Sequence, residues 1–280
     1  METILGAGSA LLFILAALYF QGVLINISTT LYLHRAMTHR AVDFNWVIQF
    51  FMRFVIWLWN GILVKGWTGV HIVHHAQTDL PGDPHSPHQH GVICAPDLVG
   101  HLPITWWEKI MLRVLKVCPY GFGITIKNYA YYLKAARLPK IIEQGRAPRD
   151  WLERYWFSRA RYLGPFVLLP LSQVALAWCL FGPWGILLGL LLWALLLLWT
   201  VLSGGIVNGL GHSADERDAQ TRDYSRNLPY WLNWIVIGEQ NHHDHHRYSG
   251  HWWFGQHDFG ANIIKLCLKL KLAKVKVMPT

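Results

Sequence analysis

The feature that most constrains this 280-residue chain is a pair of long apolar runs that contain no charged residue. They cover residues 163–181 and 183–203, and each approaches the roughly 20 residues that a membrane-spanning helix needs. The Phe181-Gly182-Pro183 junction is typical of a tight turn, which predicts a helical hairpin. A third run, residues 4–33, is too long for a signal peptide and lacks a basic start. We interpret it as a retained spanning helix whose last turns emerge into water with His34.

The composition agrees with a membrane protein, since 53% of the residues are hydrophobic and only 15% are charged. The formal net charge of +9 would also suit a nucleic-acid-binding protein. The basic residues, however, adjoin the apolar runs, which favours cytoplasmic loops and anionic lipid headgroups over nucleic acid. The four cysteines form no C-x-x-C pair, so neither a disulfide framework nor a cysteine metal site is indicated.

The topology depends on residues 45–67, a segment long enough to span but interrupted by Arg53. Histidine clusters flank it at 34–39 and 71–75, and a spanning helix would place them on opposite sides of the membrane. We therefore predict an interfacial or re-entrant helix with Arg53 at headgroup level, and an N-terminus outside. Further interfacial helices are expected at 106–118 and 128–142. The predicted fold is one all-α membrane domain over 1–280, with about three spanning helices, interfacial helices and a cytoplasmic helical cap.

Three histidine clusters lie just outside the apolar segments. They are H-x4-H with His34 and His39, H-x-x-H-H with His71, His74 and His75, and a second H-x-x-H-H with His242, His245 and His246. Residues at i, i+3 and i+4 share one helical face, which predicts that each triplet aims at a common point. Asn208 and His212 are again four apart. These nine imidazoles suit two metal ions, because structural zinc is almost always tetrahedral and could not use so many.

Imidazole ligands alone leave zinc, copper, iron and nickel open. A zinc pair would favour hydrolysis, whereas a di-iron pair can activate O2. The carboxylates of Asp79, Asp83, Glu239 and Asp244 are expected to orient ligands through their second ring nitrogens, with turn capping as the alternative. His243 falls on the wrong helical face to reach the same point as its neighbours. We therefore expect it outside the ligand set, as a supporting residue at most. The remaining histidines, at 85, 88, 90, 101, 251 and 257, are not assigned to the site.

These motifs together resemble the integral-membrane fatty acid desaturases, specifically the acyl-CoA branch with bacterial members acting at Δ9. The matching stretches are TLYLHRAMTHR, HIVHHAQTDLPGDPHSP, VNGLGH, TRDYSRN and GEQNHHDHH, in that order along nearly the whole chain. Two departures stand out. One spanning helix precedes the first box, where animal relatives with four spans have two, although short bacterial members look the same. The third box carries His243 where relatives usually have asparagine.

The resemblance implies a site and its partners. Two iron ions (Fe2+), with zinc as a substitute in a purified sample, would bind His34, His39, His71, His74, His75, His212, His242, His245 and His246, with Asn208 acting through water. Trp67 would lie near the acyl tunnel, unless it is a membrane-interface tryptophan. The expected partners are a fatty acyl-CoA, O2, the lipid membrane and a separate ferredoxin, rubredoxin or cytochrome b5-type donor, because the chain has no haem, flavin or iron–sulfur motif. The expected location is the bacterial inner membrane, with the active site on the cytoplasmic face.

Two alternatives remain at this stage. A membrane di-iron hydroxylase or terminal-alkene-forming oxidase would use the same site, and the H-x4-H and N-x-x-x-H spacings favour desaturation over it. A non-enzymatic metal-binding or transport protein would need ligands along its spanning runs, yet 163–203 contains no histidine or acidic residue. The resemblance therefore implies O2-dependent insertion of a cis double bond into a saturated long-chain acyl-CoA.

Overall fold

The computed structural model describes residues 2–80, 82–84, 86, 129 and 132–276, with side chains from residue 6 onward. The α-helices in these ranges are α1 Glu2–Ser28, α2 Trp46–Asn60, α3 Val64–Ala76, α4 Pro139–Gln144, α5 Leu169–Phe181, α6 Gly185–Gly205, α7 Asn233–Val236, α8 His242–Arg247 and α9 Phe259–Lys269. Wider π-helical turns cover Thr29–Thr38, Leu152–Phe157, Gly164–Leu168 and Ile206–Leu210, and 3₁₀ turns cover Gly182–Trp184 and Tyr230–Leu232. The two strands are β1 Val42–Phe44 and β2 Ala273–Val275.

Two continuous helical stretches in the described part of the chain are long and apolar enough to cross a membrane, Gly6–Thr38 and Gly164–Leu210. The second folds back on itself at Gly182–Trp184, because α5 and α6 pack side by side. A Cβ placed on Gly189 of α6 would lie 2.5 Å from Val174 Cα on α5. Small residues permit such close approach between membrane helices. The prediction of a helical membrane protein with about three apolar spanning helices is confirmed, and the departure from an all-α fold is the short two-stranded sheet.

Helix α1 packs against this hairpin through apolar side chains that are buried from solvent. The cluster contains Ile14, Ile25, Leu169, Leu192 and Leu196. Amide groups add a polar contact between the same helices, since Gln21 Nε2 donates to Gln173 Oε1 at 3.0 Å. Hydrogen bonds of this kind hold membrane helices together because lipid offers the amides no other partner. The three apolar arms thus form one packed unit.

The segment predicted as one interfacial helix over 45–67 consists of two helices, α2 and α3, which meet at an angle of 93°. Helix α2 ends because Gly61 adopts the left-handed conformation, with φ 56°, and its N–H bonds back to Ile56 O and Trp57 O. One face of α2 exposes large apolar side chains, among them Trp46 at 77% and Phe51 at 50%. An amphipathic helix of this kind suits a membrane interface.

Arg53, which we predict at headgroup level, is paired with carboxylates of this chain. It is 7% exposed and its guanidinium meets Asp150 at 2.6 and 2.8 Å and Glu153 at 3.3 Å. A buried arginine needs such partners, because an unpaired charge in an apolar environment is costly. The pairing fixes α2 against the segment that leads into the hairpin. The predicted interfacial helix at 106–118 lies outside the described residues. The predicted helix at 128–142 is interrupted, and α4 covers its C-terminal part.

The C-terminal part of the chain returns to the end of the first spanning helix. Strand β2 pairs antiparallel with β1, with Val42 opposite Val275. Helix α9 precedes β2 in the chain, and its Ile264 joins Leu33 in the largest apolar cluster of the described residues. This closure brings the third histidine box next to the first, although more than 200 residues separate His34 from His245.

Candidate metal centre

Nine histidines from four segments converge at one end of the apolar helices. In two groups, one ligand nitrogen of each residue lies within 4.8 Å of the others. The first group contains His34, His39, His71, His75 and His245, and the second contains His74, His212, His242 and His246. The two groups adjoin, since the His75 and His246 rings are 4.6 Å apart. Every predicted histidine ligand is therefore part of this centre.

Each H-x-x-H-H box divides between the two groups, so the prediction that a triplet aims at one common point is wrong. On α3, His71 and His75 belong to the first group and His74 to the second. On α8 the assignment is reversed, because the pair four residues apart joins the second group. Residues i+3 and i+4 differ by about 100° around a helix, so their side chains diverge enough to reach two neighbouring positions.

The H-x4-H spacing of the first box is explained by the π-helical turn Thr29–Thr38. In an α-helix, residues five apart would point about 140° from each other. The wider turn has i to i+5 hydrogen bonds, and His39 N donates to His34 O at 3.0 Å. The His34 and His39 rings accordingly lie 4.9 Å apart in the same group. The sequence spacing is thus matched to an unusual helix rather than to an α-helix.

The distances between ring nitrogens fit a metal-ligand shell. His245 Nε2 lies 3.0 Å from His34 Nε2 and 2.9 Å from His75 Nε2, and His75 Nε2 is 3.0 Å from His71 Nε2. In the second group, His212 Nε2 lies 3.1 Å from His74 Nε2 and 2.8 Å from His242 Nε2. Two nitrogens about 2.1 Å from one metal ion at a right angle are about 3.0 Å apart.

Burial keeps several of these imidazoles in the neutral form that binds metal. Burial lowers the pKa of His75 and His245 well below 6.5, and neighbouring histidines lower it further. It also lowers the pKa of His246 to about 4. The Nε2 atoms of His39 and His246 are buried and find no hydrogen-bond partner in the part of the chain that the structure describes. Neutral imidazoles with unused lone pairs suit divalent ions, so the two groups can hold a pair of metal ions.

Carboxylates hold the other ring nitrogen of several histidines. Glu239 Oε1 lies 2.8 Å from His34 Nδ1, Asp83 Oδ2 lies 2.9 Å from His74 Nδ1, and Asp79 Oδ2 lies 2.9 Å from His212 Nδ1. Such a contact fixes the tautomer, so that Nε2 is left to face the metal position. Three of the four carboxylates singled out from the sequence thus lie against predicted ligands.

The fourth carboxylate, Asp244, lies elsewhere. It accepts a hydrogen bond from Asn227 Nδ2 at 3.1 Å. Asp223 takes the position at the remaining histidine, with Oδ2 3.0 Å from His246 Nδ1. The sequence reasoning missed Asp223, although the TRDYSRN segment that contains it was one of the quoted motifs. Proximity in sequence favoured Asp244, whereas the fold supplies the partner from a loop 23 residues away.

Opposing effects act on the buried pair of Asp79 and His212. Burial raises the pKa of the Asp79 carboxyl, but the hydrogen bond and charge of His212 outweigh it and lower the pKa to about 2. Burial lowers the pKa of His212, and the hydrogen bond and charge of Asp79 outweigh it, so this pKa is raised. The carboxylate is therefore ionised at neutral pH and increases the negative charge next to the second group.

The TRDYSRN segment also fixes α8. Ser225 Oγ donates to Asp223 Oδ1 at 2.6 Å and lies 3.0 Å from His243 Nδ1. Asn227 Oδ1 accepts from the backbone N–H of His243 at 3.0 Å, which caps the start of this short helix. In these contacts His243 reaches His246 of the second group only through Ser225 and Asp223. It is therefore a supporting residue.

A cavity of about 100 Å³ adjoins both groups. Its wall contains His34 and His71 of the first group and His242 of the second, together with apolar side chains that include Ile25 and Val70. Trp67 also lines it and stacks on the His71 ring, with ring centroids 5.2 Å apart. Trp67 therefore lies beside both this cavity and a histidine of the first group.

Asn208 lies in the same cavity wall, within the π-helical turn Ile206–Leu210. Its Nδ2 donates to Gly204 O at 2.9 Å. His242 of the second group lines the wall as well, and His212 follows the same turn. This position, beside the second group, is compatible with a contact to a metal ion through water.

Arg35, next to His34, is fully buried and joins the first box to the C-terminal part of the chain. Its Nη2 lies 3.0 Å from Asp258 Oδ1 and 4.0 Å from Glu239 Oε1. Its guanidinium also lies over the Phe254 ring at 3.9 Å. The carboxylate that holds His34 is therefore itself next to a buried cation.

Comparison with known proteins agrees with this arrangement. Delta-9 desaturase-like 2 protein of Arabidopsis thaliana is 26% identical over 81% of this chain and 63% of its own length. Hex-5-enoyl-(acyl-carrier protein) acetylenase of Moorena producens is 27% identical, over 89% of this chain and 72% of that protein. The sn-2 palmitoyl-lipid 9-desaturase of Nostoc sp. is 29% identical, over 86% and 73%.

This chain spans less than two thirds of the length of the Arabidopsis protein. The match alone therefore does not assign the activity of the Arabidopsis protein to this chain. The model of the family described as fatty acid desaturase matches residues 9–274, which is nearly the whole chain. All four histidine segments lie within this range. The chain therefore belongs to the fatty acid desaturase family.

Proposed function

We propose that this protein is an O2-dependent di-iron desaturase that inserts a cis double bond, at Δ9, into a saturated long-chain fatty acyl-CoA. One observation carries the proposal: histidines of both groups, His71 and His242, line the wall of one cavity. An acyl chain in this cavity would lie beside both metal positions. The names of the Arabidopsis and Nostoc relatives support a Δ9 position. The Nostoc and Moorena names specify acyl-lipid and carrier-protein substrates rather than acyl-CoA.

The chemistry requires a metal centre because an unactivated methylene C–H is not acidic enough for a general base. When bound, two iron ions would supply the O2 activation that such a C–H bond demands. The protein places the substrate and holds the ligands. Trp67 and Ile25 form part of the apolar wall that would exclude water from the acyl chain. Asp83 and Glu239 hold the Nδ1 protons of His74 and His34, which leaves each Nε2 directed at a metal position.

Two electrons must reach the centre in each turnover, and the quoted motifs contain no site for a second redox cofactor. We propose a separate ferredoxin, rubredoxin or cytochrome b5-type donor. We also propose that residues 1–280 act as one domain in the bacterial inner membrane, with the metal centre on the cytoplasmic face. The basic stretch 134–161 adjoins the hairpin on the side of the histidines, which supports this orientation by the positive-inside rule.

The test is product analysis in a bacterium that supplies saturated acyl chains and co-expresses a candidate donor. We expect a new cis-monounsaturated chain, located by mass spectrometry, from the wild-type protein and none from His74→Ala. His251→Ala is the matched control, because His251 stacks on Tyr248 away from both groups and should retain activity. Purified protein with stearoyl-CoA, stearoyl-carrier protein and a stearoyl lipid would then identify the carrier.

Each product class has a definite meaning. If the His74-dependent product is a hydroxylated chain or a terminal alkene, the metal-centre assignment stands. The protein is then a di-iron hydroxylase or terminal-alkene-forming oxidase rather than a desaturase. Retained desaturation in His74→Ala would contradict the ligand assignment. If lipid or carrier-protein substrates turn over and the CoA ester does not, the substrate part of the proposal is wrong while desaturation stands.

A further inference from the structure

The turn that precedes the third histidine box has an unusual backbone. Helix α7 ends at Ile237, which lies in the left-handed region with φ 53° and ψ 51°. A β-branched side chain is strained in this region, which glycine and asparagine adopt more readily. The next residue, Gly238, also has a positive φ, of 100°. Ile237 is 3% exposed, so the surrounding fold holds it in a conformation that a free isoleucine would leave.

A buried ion pair lies directly against this turn. Arg35 Nη2 lies 3.0 Å from Asp258 Oδ1, and the two residues are 0% and 3% exposed. A Cβ placed on Gly238 would overlap Asp258 Oδ1 and lie 2.7 Å from Arg35 Nη2. A Cβ on Gly260 would lie 2.6 Å from Arg35 Nη1 and 2.9 Å from Ile237 O. The pair therefore restricts the backbone of both left-handed residues.

Asp258 is itself held by the backbone around it. Its Oδ1 accepts from Ala261 N at 2.9 Å, which caps the start of α9, and its Oδ2 accepts from Phe254 N at 2.9 Å. Helix α7 contacts the same segment, because Asn233 Oδ1 accepts from Phe259 N at 3.2 Å. The ion pair thus connects the turn to the start of α9 on one side and to the first histidine box on the other.

The turn sets the direction of Glu239, which follows Gly238. The Glu239 N–H donates back to Val236 O at 3.2 Å, and its Oε1 lies 2.8 Å from His34 Nδ1. If Ile237 relaxed to the extended region, the chain would leave α7 in another direction and carry Glu239 away from His34. Loss of such a partner typically lowers metal affinity about 10–100-fold. The conformation of Ile237 therefore acts on the metal position of the first group.

We propose that Ile237 and Asp258 are positioning residues for this metal position. The ion pair of Arg35 and Asp258 holds the strained turn, and the held turn keeps Glu239 against His34. The inference rests on the proposed function only in that the histidine groups bind metal ions, and not on which carbon atoms are oxidised.

The first test compares Ile237→Ala with Ile237→Gly in the full-length protein in detergent. Both variants remove the buried side chain, but glycine adopts the left-handed region freely and alanine does not. Metal-free protein is titrated with Co2+, and visible absorption and bound cobalt per chain give the affinities. We expect Ile237→Ala to weaken, by about 10–100-fold, the same ion that Glu239→Gln weakens, and Ile237→Gly to weaken it less. Equal affinities in the alanine and glycine variants, or the opposite order, would overturn the proposal.

Lys271 provides the matched control. It also has a positive φ, of 58°, but it is exposed and lies between α9 and β2. Lys271→Gly should unfold at a higher temperature than Lys271→Ala, and both should bind Co2+ as the wild type does. A loss of Co2+ affinity in Lys271→Ala as large as that in Ile237→Ala would refute a specific role for the turn.

The second test determines whether the ion pair acts through the turn. Asp258→Asn removes the charge that holds Arg35, while its amide oxygen can still cap α9. We expect it to weaken the same Co2+ ion about 10–100-fold in the wild-type background and several-fold less in Ile237→Gly, because a glycine turn needs no such support. An equal loss in both backgrounds would refute the coupling. Wild-type Co2+ binding by Asp258→Asn would overturn the proposal by itself, even if neither Ile237 variant folds.

These measurements use neither donor nor acyl substrate. If the Co2+ affinities change as expected but no unsaturated product forms with any donor, the proposed function fails alone. If the protein desaturates acyl chains but Ile237→Ala binds Co2+ as the wild type does, only the positioning role is wrong.

Discussion

Replacing Gly69 by alanine tests how closely α3 must pack to place its three histidines. Gly69 is buried and lies two residues before His71. An added methyl group would overlap Ile141 O and lie 3.0 Å from the Ile141 carbonyl carbon and 3.3 Å from Gly145 N. These neighbours are backbone atoms, so they cannot rotate away as a flexible side chain would.

The size of the effect follows from this overlap. Non-bonded carbon atoms pack at about 3.5–4.0 Å, so α3 must move by something on the order of 1 Å. Overpacking of this kind costs about 1–3 kcal/mol, which exceeds the roughly 1 kcal/mol that alanine gains over glycine within a helix. A displacement of 1 Å at a reacting centre can lower the rate about 100-fold. His71, His74 and His75 would shift together relative to the ligands on other segments.

The assay combines metal content, the free energy of unfolding in detergent and desaturation rate. Gly69→Ala should lose metal and about two orders of magnitude in rate. Gly8→Ala provides the matched control, because Gly8 also lies in a helix but has nothing within 4 Å of the added methyl. Wild-type metal content and rate in Gly69→Ala would refute the argument that backbone contact at this glycine sets the position of the ligands.

Three further perturbations follow from the described contacts. Trp67→Ala enlarges the cavity beside His71, so the acyl chain would be held less firmly. We expect a raised KM and, by mass spectrometry, a broader distribution of double-bond positions. An unchanged product would place Trp67 outside the substrate path. Arg53→Met leaves Glu153 buried without its cation and should lower the free energy of unfolding by about 3 kcal/mol, whereas a loss below about 1 kcal/mol would contradict a buried pair. Burial lowers the pKa of His246 from 6.5 to about 4, so between these values the unfolded chain binds more protons. The metal-free protein should therefore lose about 3 kcal/mol at this residue as the pH falls from 6.5 to 4, and denaturant unfolding of wild type and His246→Gln across this range checks it.

Much of the metal centre could be predicted from residue type and spacing. Nine imidazoles just outside apolar runs indicated a two-metal site, and each of these residues lies in one of the two groups. The carboxylates could be predicted only in part. Glu239 and Asp83 lie against ligands, as their positions near the boxes suggested, whereas Asp223 comes from a loop that no local pattern connects to His246.

The differences from expectation have a common physical origin. No local pattern indicated a partner for Arg53, because its neighbours in sequence are apolar, whereas Asp150 and Glu153 neutralise it from almost 100 residues away. The triplets looked as if each would bind one ion, because residues three and four apart share a helix face. That face is wide enough to serve two positions when another helix is packed opposite to it.

The sequence by itself determined the membrane character, the three apolar arms and the identity of the histidines, because these depend on run length, composition and side-chain chemistry. Only the tertiary structure decided which imidazole joins which group and which carboxylate supports it. Those assignments depend on the relative positions of α1, α3, α8 and the 212–227 segment. Side chains separated by more than 100 residues meet there, and the directions in which they point are set by helix packing rather than by local sequence.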